Sequence, residues 1–353
     1  MDRKIINARL RAVRCELEDE RLDGIIVTKA VNVSYVTGFC GDDSWAVITA
    51  RKVYLLTDSR YIEQTRKECY DCQIIERREA MGKAVGGLLG KLKSVKTIGI
   101  EDSTSIALLR GLRKNLDAKI KPTSNLVESV RKCKDAGEIK SLKGAIEIAA
   151  KAFKKTRGNV RSGMTENELA GRLDFEIRKL GAENSFETIV AFGVNASRPH
   201  HKPGSKKLRK NDNVLIDFGV RYKGYCSDLT RCFSVGKISG LYKKVFKAVE
   251  ESQAAAIGII RAGVKISEVD AAARAVIEKY GLGVYGHGTG HGLGLEVHEG
   301  PVVSGKVKGE LQAGEIITIE PGVYMQGKLG VRIEDDVLVT ERGCKILSSG
   351  CPH

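Results

Sequence analysis

Two short stretches of this 353-residue chain place acids inside apolar, strand-like runs. In Val214-Leu215-Ile216-Asp217-Phe218-Gly219 and Ser227-Asp228-Leu229-Thr230, the runs flank Tyr222-Lys223-Gly224-Tyr225, which reads as a hairpin turn. If the turn centres on Tyr222 and Lys223, Asp217 and Asp228 face each other directly. If it centres on Lys223 and Gly224, they become diagonal neighbours. Either register puts both carboxylates on one face, roughly 5–8 Å apart. A second hairpin repeats the pattern. Thr318-Ile319-Glu320-Pro321-Gly322 and Gly330-Val331-Arg332-Ile333-Glu334 flank a polar turn near Gly327, with Glu320 and Glu334 symmetric about it. Buried carboxylates without partners are strongly disfavoured, so the four acids either pair with basic residues or bind cations. Arg332 can neutralise one of them but not all four.

The histidines add to this. There are only six, and five of them (His200, His201, His287, His291 and His298) fall within one part of the sequence, beside Pro199, Pro203 and Pro301. Gly286-His287-Gly288-Thr289-Gly290-His291-Gly292 has too many glycines for a helix, so these histidines are not a helical zinc-protease pair. A phosphate-binding loop is the competing reading, but the GxGxxG spacing is absent. Four carboxylates with one imidazole make a hard, oxygen-rich donor set. It favours Mn²⁺, with Co²⁺, Zn²⁺ or Fe²⁺ as alternatives, and carboxylates can bridge two such cations ~3.5 Å apart. The chemistry this predicts is two-metal hydrolysis.

These residues need elements to position them. Before about residue 120 the pattern is α/β. An amphipathic helix over residues 3–21 is followed by apolar runs at 24–28, 46–49, 53–57, 73–75 and 97–100, with helical spacing at 61–69, 80–92 and 105–116. Around Pro122 the periodicity breaks, which predicts an inter-domain linker between Lys119 and Asp135. Beyond it, Asp135 can cap a helix running to Arg157, and Thr165-x-x-Glu168 is a capping box. Further helices are expected over 241–261 and 266–280, with strands over 187–192, 213–218, 226–234, 316–319 and 331–339. Helices segregated from antiparallel hairpins indicate an α+β domain.

Composition narrows the function classes. A net charge of +15 invites a nucleic-acid partner, but residues 1–125 carry 23 basic and 17 acidic side chains and the remainder 36 and 27, so neither part is a dedicated basic module. The run Lys206-Lys207-Leu208-Arg209-Lys210 reads as a solvated loop. No apolar run approaches the ~20 residues of a membrane-spanning helix, and the N-terminus lacks a signal-peptide core. Nine cysteines, with Cys69 and Cys72 as a lone CxxC, suit structural thiols in a reducing compartment. The expected location is cytoplasmic.

The motifs resemble those of the pita-bread metallopeptidases, in the aminopeptidase P and prolidase branch. The catalytic stretches above carry the resemblance together with Gly288-Thr289-Gly290-His291-Gly292-Leu293-Gly294-Leu295-Glu296-Val297-His298-Glu299. Asn32-Val33-Ser34-Tyr35-Val36-Thr37-Gly38-Phe39 and Thr57-Asp58-Ser59-Arg60-Tyr61 are similar to the branch's creatinase-like N-terminal domain. The resemblance implies an α/β creatinase-like domain over residues 1–125 and an α+β pita-bread catalytic domain over 126–353. By it, Asp217, Asp228, His291, Glu320 and Glu334 hold two metals, with Asp228 and Glu334 as bridges. Glu320 is then also the general base for a metal-bridging hydroxide. His298 steadies the oxyanion, His200 contacts substrate near the scissile bond, His287 lines the pocket and Arg332 orients a bridging carboxylate. His201 is left without a role.

The implied substrates are peptides with proline in second position. Several prolidases place an arginine after the proline of a His-Glu-x-Pro segment, where it reads a dipeptide carboxylate. Here His298-Glu299-Gly300-Pro301 continues with Val302 and Val303, which favours an Xaa-Pro aminopeptidase, with an Xaa-Pro dipeptidase as the alternative. Relatives that bind nucleic acid or histones lack the metal ligands, and creatinase works without metal. The complete ligand set here argues against both. The resemblance further implies a homodimer.

Overall fold

The computed structural model describes residues 3–352; Met1, Asp2 and His353 lie outside the described residues. The chain divides into two compact units, Met1–Arg131 and Lys132–His353.

In the first unit, α1 (Arg3–Asp19) buries Ile6, Leu10, Val13 and Leu17, the stripe its spacing predicts. There follow β1 (Gly24–Val27), α2 (Ala30–Thr37), β2 (Trp45–Thr49), β3 (Val53–Thr57), α3 (Ile62–Glu68), β4 (Gln73–Glu76), α4 (Met81–Lys91), β5 (Thr97–Glu101), α5 (Ile106–Arg113), β6 (Lys119–Thr123) and α6 (Leu126–Lys132). The strands form one mixed sheet in the order β4-β3-β2-β1-β5-β6. Residues from both helices and strands, including Ile26, Val47, Leu56, Val85 and Leu88, close its core.

One local expectation is corrected here, and one helix stands where the sequence reading named no element. Residues 119–135 do contain the junction between the two units, at Arg131/Lys132, but not as an irregular linker. They build β6 and α6, and Pro122 is accommodated because β6 lies at the sheet edge, where a missing N–H costs no ladder bond. The segment Ala30–Thr37 is a helix despite its β-branched residues. The buried Glu101 carboxylate accepts from the Thr28 and Lys29 N–H groups at its start and from the Asn32 amide.

The second unit opens with α7 (Ala136–Arg157) and α8 (Glu166–Lys179), and both carry the capping boxes expected at Asp135/Glu138 and Thr165/Glu168. Then come β7 (Glu183–Asn184), β8 (Ile189–Phe192), β9 (Asn213–Phe218), β10 (Val220–Tyr222), β11 (Tyr225–Cys226) and β12 (Leu229–Ser234). Helices α9 (Gly240–Ile259) and α10 (Ile266–Lys279) lead into β13 (Gly290–Gly292), β14 (Glu299–Val303), β15 (Ile316–Ile319), β16 (Gly322–Met325), β17 (Leu329–Arg332), β18 (Asp335–Thr340) and β19 (Gly343–Ile346). The main sheets run β12-β9-β8 and β14-β13-β15-β18-β19. Helices α7 and α8 pack through Ala149, Phe153, Leu169 and Leu173 onto Val190, Ile216 and Phe218 of the first sheet. This is the α+β arrangement expected of the second part of the chain, following an α/β unit.

The first hairpin adopts the second of its two registers. Asp217 pairs with Thr230 and Phe218 with Leu229, and the turn falls on Lys223 and Gly224, both at positive φ. A two-residue turn of that hand matches strand twist, and Gly224 suits it where Tyr222 would not. Asp217 and Asp228 are therefore diagonal neighbours. The second hairpin has the symmetric register expected: Gly322 pairs with Arg332, Tyr324 with Gly330, and Ile319 with Asp335. The expected continuous strands 226–234 and 331–339 are each broken, at Ser227-Asp228 and at Ile333-Glu334. The breaks coincide with the acids.

Candidate active site

Strand interruptions aim the acids. Asp217 lies near the end of β9, Asp228 between β11 and β12, Glu320 between β15 and β16, and Glu334 between β17 and β18. A carboxylate at a break leaves the ladder and points at its neighbours instead of across a regular pleat. His291 comes from β13, which is held flat against two other strands. A Cβ on Gly290 would lie 1.8 Å from the Thr318 carbonyl oxygen, and one on Gly292 would lie 2.1 Å from that of Gly300. Only glycine permits that approach.

The donors converge. Single atoms of Asp217, Asp228 and Glu334 lie within 4.8 Å of one another, as do those of His291, Glu320 and Glu334, and those of Asp228, His291 and His298. His291 Nε2 is 3.5 Å from Asp228 Oδ2 and 3.7 Å from Glu320 Oε1, while its Nδ1 lies 3.0 Å from the Gly292 carbonyl. That contact assigns the proton to Nδ1 and leaves Nε2 free as a ligand. Burial, foremost, lowers the His291 pKa to about 4, so the ring is neutral. The His298 ring packs edge-on against it, with centroids 4.3 Å apart.

The electrostatics are those of a cluster with excess negative charge. Burial first, then Glu334, Asp217 and Glu320, raise Asp228 well above the usual carboxylate range, and Glu334 is raised in the same way. Burial and Asp217 raise Glu320 to about 7 against the opposing pull of Arg332. Arg332 is the guanidinium inside the cluster. It donates to Asp217 Oδ2, to Thr230 Oγ1 at 3.0 Å, to the Tyr324 hydroxyl at 2.8 Å and to the Pro199 carbonyl. Thr230 in turn donates to Glu334 Oε2 at 2.7 Å. Asp217 Oδ1 is buried with no hydrogen-bond partner. One guanidinium against four clustered carboxylates leaves charge that divalent cations would balance, and the oxygen-rich set suits them.

The other histidines separate cleanly. His287 Nε2 meets the Tyr324 hydroxyl at 3.1 Å and its Nδ1 the Gly288 carbonyl at 2.7 Å; burial, with Arg332, His200 and Arg274 nearby, lowers it to about 4. His200 is exposed beside it, on the segment whose Pro199 carbonyl Arg332 holds. His201 turns inward. Its Nε2 lies 2.8 Å from Glu166 Oε2, and the fully buried Glu166 also accepts from Phe192 N, the Asn195 amide and Gly204 N. His201 thus anchors the loop that presents His200. Lys206 does not sit in a solvated run either, because its ammonium donates to the Phe192 carbonyl at 2.6 Å and Leu208 is buried.

Sequence reasoning missed a supporting shell. Asp270 of α10 accepts from the Thr289 hydroxyl at 2.6 Å and from Gly305 N, while Arg274 one turn on binds the carbonyls of Tyr285 and His287. Together they brace the glycine-rich loop. Gln253 of α9 donates to the Ile319 carbonyl and to Asp335 Oδ2, and Arg231 donates to Asp335 Oδ1 and the Glu334 carbonyl. An acid and an arginine four apart in an apolar helix was the available signal for the first pair. Nothing local marked Gln253.

Comparison with known proteins agrees with the geometry. Residues 9–133 match the creatinase/prolidase N-terminal domain and residues 140–341 match metallopeptidase family M24. The structure of an Xaa-Pro dipeptidase from Bacillus anthracis is 35% identical, superposes with a TM-score of 0.95 and covers 98% of each chain. That of an X-Pro aminopeptidase from Thermotoga maritima is 38% identical, with a TM-score of 0.87 over 94% of this chain and 97% of the other. An Xaa-Pro dipeptidase from Pyrococcus horikoshii is 32% identical over 349 residues, 98% of this chain and 97% of that one. With carboxylate and imidazole donors gathered in one cluster and similarity running through both units, the chain belongs to metallopeptidase family M24 and is a metallopeptidase with a creatinase/prolidase N-terminal domain.

Proposed function

We propose that this metallopeptidase is an Xaa-Pro dipeptidase, with Asp217, Asp228, His291, Glu320 and Glu334 holding two divalent cations, Mn²⁺ by preference. The carrying observation is the convergence of donors from β9, the β11–β12 break, β13 and the second hairpin on one cluster. Cations bound there would lower the pKa of a water toward neutrality and so supply a nucleophile at physiological pH. Glu320, raised to about 7, is placed to accept a proton near neutral pH and return it to the leaving amine. His298 at the rim and the exposed His200 stabilise negative charge developing on the carbonyl oxygen. Neutral His287, fixed by Gly288 and Tyr324, offers a polar edge to the substrate backbone, and Arg332 orients Asp217 through a direct hydrogen bond. The dipeptidase reading is supported by full-length likeness to the Bacillus anthracis and Pyrococcus horikoshii dipeptidases. A cytoplasmic homodimer is part of this proposal.

One residue favours a second reading. Val302 pairs with His291 across β13 and β14 and is 50% exposed, so the wall beside the metal ligand is apolar where a cation would read a dipeptide carboxylate. An Xaa-Pro aminopeptidase would tolerate that. Assays of Ala-Pro and Ala-Pro-Ala with Mn²⁺, with and without chelator, test the choice. Chelator-sensitive cleavage preferring Ala-Pro is expected. Preference for Ala-Pro-Ala replaces the dipeptidase with the aminopeptidase, and cleavage of Met-Ala-Ser without any Xaa-Pro activity sinks both.

A further inference from the structure

The stretch after β19 closes on the back of the acid cluster. The Leu347 N–H donates to the Asp336 carbonyl at 2.8 Å, continuing the β18–β19 ladder, and the chain then turns, with the Cys351 N–H donating to the Ser348 carbonyl at 2.9 Å. Ser348 and Cys351 are both buried although neither belongs to a helix or strand. Their polar groups are spent on two neighbours. The Ser348 hydroxyl donates to Asp335 Oδ1 at 2.6 Å and accepts from the Asp336 N–H at 3.1 Å. The Cys351 carbonyl accepts from Arg231 Nε at 3.3 Å and from its Nη2 at 3.2 Å.

Arg231 is fully buried and carries this contact onward. It also donates to Asp335 Oδ1 at 2.8 Å, to the Thr230 carbonyl at 3.0 Å and to the Glu334 carbonyl at 2.6 Å. A guanidinium holds its donors in one rigid plane, so a shift at the Cys351 end is passed to the Glu334 end. Glu334 lies at a strand break, where no ladder fixes it. Its N–H donates to the Thr230 carbonyl at 3.2 Å, and its own carbonyl is held by Arg231. Asp336, whose N–H the Ser348 hydroxyl receives, extends the same support to the other hairpin, because its Oδ2 accepts from the Asp228 N–H at 3.4 Å.

We propose that Ser348 and the Cys351 carbonyl, acting through Arg231, Asp335 and Asp336, position Glu334 and Asp228 to bridge two cations. The inference rests on the reading of those two acids as bridges. Ser348 and Arg231 are positioning residues, since they bond the backbone of the bridging acids and the side chain of Asp335, and neither bonds the carboxylate of Glu334 or Asp228. A bridging carboxylate must serve both cations at once, so its backbone has less freedom to move than that of a ligand to one cation. Loosening the backbone therefore weakens the pair.

The test is Mn²⁺ titration of the metal-free full-length protein by calorimetry, with electron paramagnetic resonance to read coupling between the two ions and steady-state kinetics on Ala-Pro. Ser348→Ala removes the hydroxyl. Arg231→Lys keeps the positive charge but cannot span the Cys351 and Glu334 carbonyls together. Each should weaken Mn²⁺ binding by about 10-fold or more, reduce the coupled signal and lower kcat with little change in KM. Leu173→Ala is the control for stability alone. It cuts into the core that Cys351 joins but leaves every hydrogen bond of the clip in place, so it should lower Tm and bind Mn²⁺ as the wild type does. A wild type that takes up no pair of Mn²⁺ ions would sink the metal reading itself. A wild type with its coupled pair, beside unchanged Mn²⁺ affinity in Ser348→Ala or Arg231→Lys, would overturn the clip alone. Equal loss of affinity in Leu173→Ala would also overturn it, because general destabilisation would then account for all three variants.

Discussion

The two acid hairpins of the second unit share a design but not an environment. In the first, Asp217 and Asp228 are diagonal, Arg332 donates directly to Asp217, and the Asp228 N–H reaches Asp336 Oδ2 at 3.4 Å. In the second, Glu320 and Glu334 face each other beyond the Ile319–Asp335 pair; among the described residues the Glu334 carboxylate accepts from the Thr230 hydroxyl alone, and Glu320 accepts no guanidinium hydrogen bond. The consequence is a division of labour between acids of similar chemistry. Asp217 accepts directly from a buried guanidinium, whereas Glu320 is pushed by burial to a pKa of about 7, where proton exchange near neutrality is easiest.

The strongest way to break this comparison is to remove a carboxylate common to both halves of the cluster. Glu334→Gln and Asp228→Asn should each lower bound metal and reduce kcat/KM by about 10³-fold or more. Elemental analysis showing both cations retained in either variant would remove that residue from the bridge. The metal-free protein sharpens the same point through pH. Glu320 has a folded-state pKa of about 7 against an ordinary 4.5, so between those values the folded chain keeps a proton that the unfolded chain has released. Stability without metal should therefore fall as pH rises through that window and level off above it, with Asp228 and Glu334 acting in the same direction. Thermal unfolding in chelator should show a falling Tm from about pH 5 to about pH 7, and Mn²⁺ should restore it. A chelated Tm that rises across that range contradicts the excess-charge picture.

Arg332 is next. Arg332→Met strips the counter-charge from Asp217 and leaves Thr230, Tyr324 and the Pro199 carbonyl without their donor, and should cost about 10²-fold in kcat/KM. If Asp217 is held by that guanidinium, the chelated variant should unfold at lower temperature than the chelated wild type. An unchanged value would show that Arg332 acts on catalysis alone.

The legibility of the sequence follows the range of the interactions. Both hairpins were readable because each acid pair lies within a short loop and register is local arithmetic; only the choice between Tyr222-Lys223 and Lys223-Gly224 needed the backbone. The caps at Asp135 and Thr165 are equally local. Helix α2 was hidden because its support, Glu101, lies over 70 residues away from Thr28, and β6 was hidden because Pro122 reads as a break until a sheet edge is available for it. His201 was ambiguous for the same reason. Its partner Glu166 is 35 residues earlier, in the first turn of α8, where nothing local marks it as a histidine partner.

The smallest effects belong to residues that position rather than react. Gln253→Leu removes the donors to the Ile319 carbonyl and Asp335, which flank Glu320 and Glu334 respectively, and should weaken metal binding by about 10-fold or more. Glu166→Gln acts further out. It keeps the size of the side chain but weakens four contacts to His201, Phe192, Asn195 and Gly204, loosening the loop that carries His200 without touching any acid of either hairpin. The effect should appear mainly as a several-fold rise in KM with metal content unchanged, because substrate contact is disturbed and the cation donors are not. Steady-state kinetics beside elemental analysis reads both quantities. A loss of metal in Glu166→Gln would mean that the loop and the hairpins form one mechanical unit, and the contrast between the hairpins would then depend on a residue outside them both.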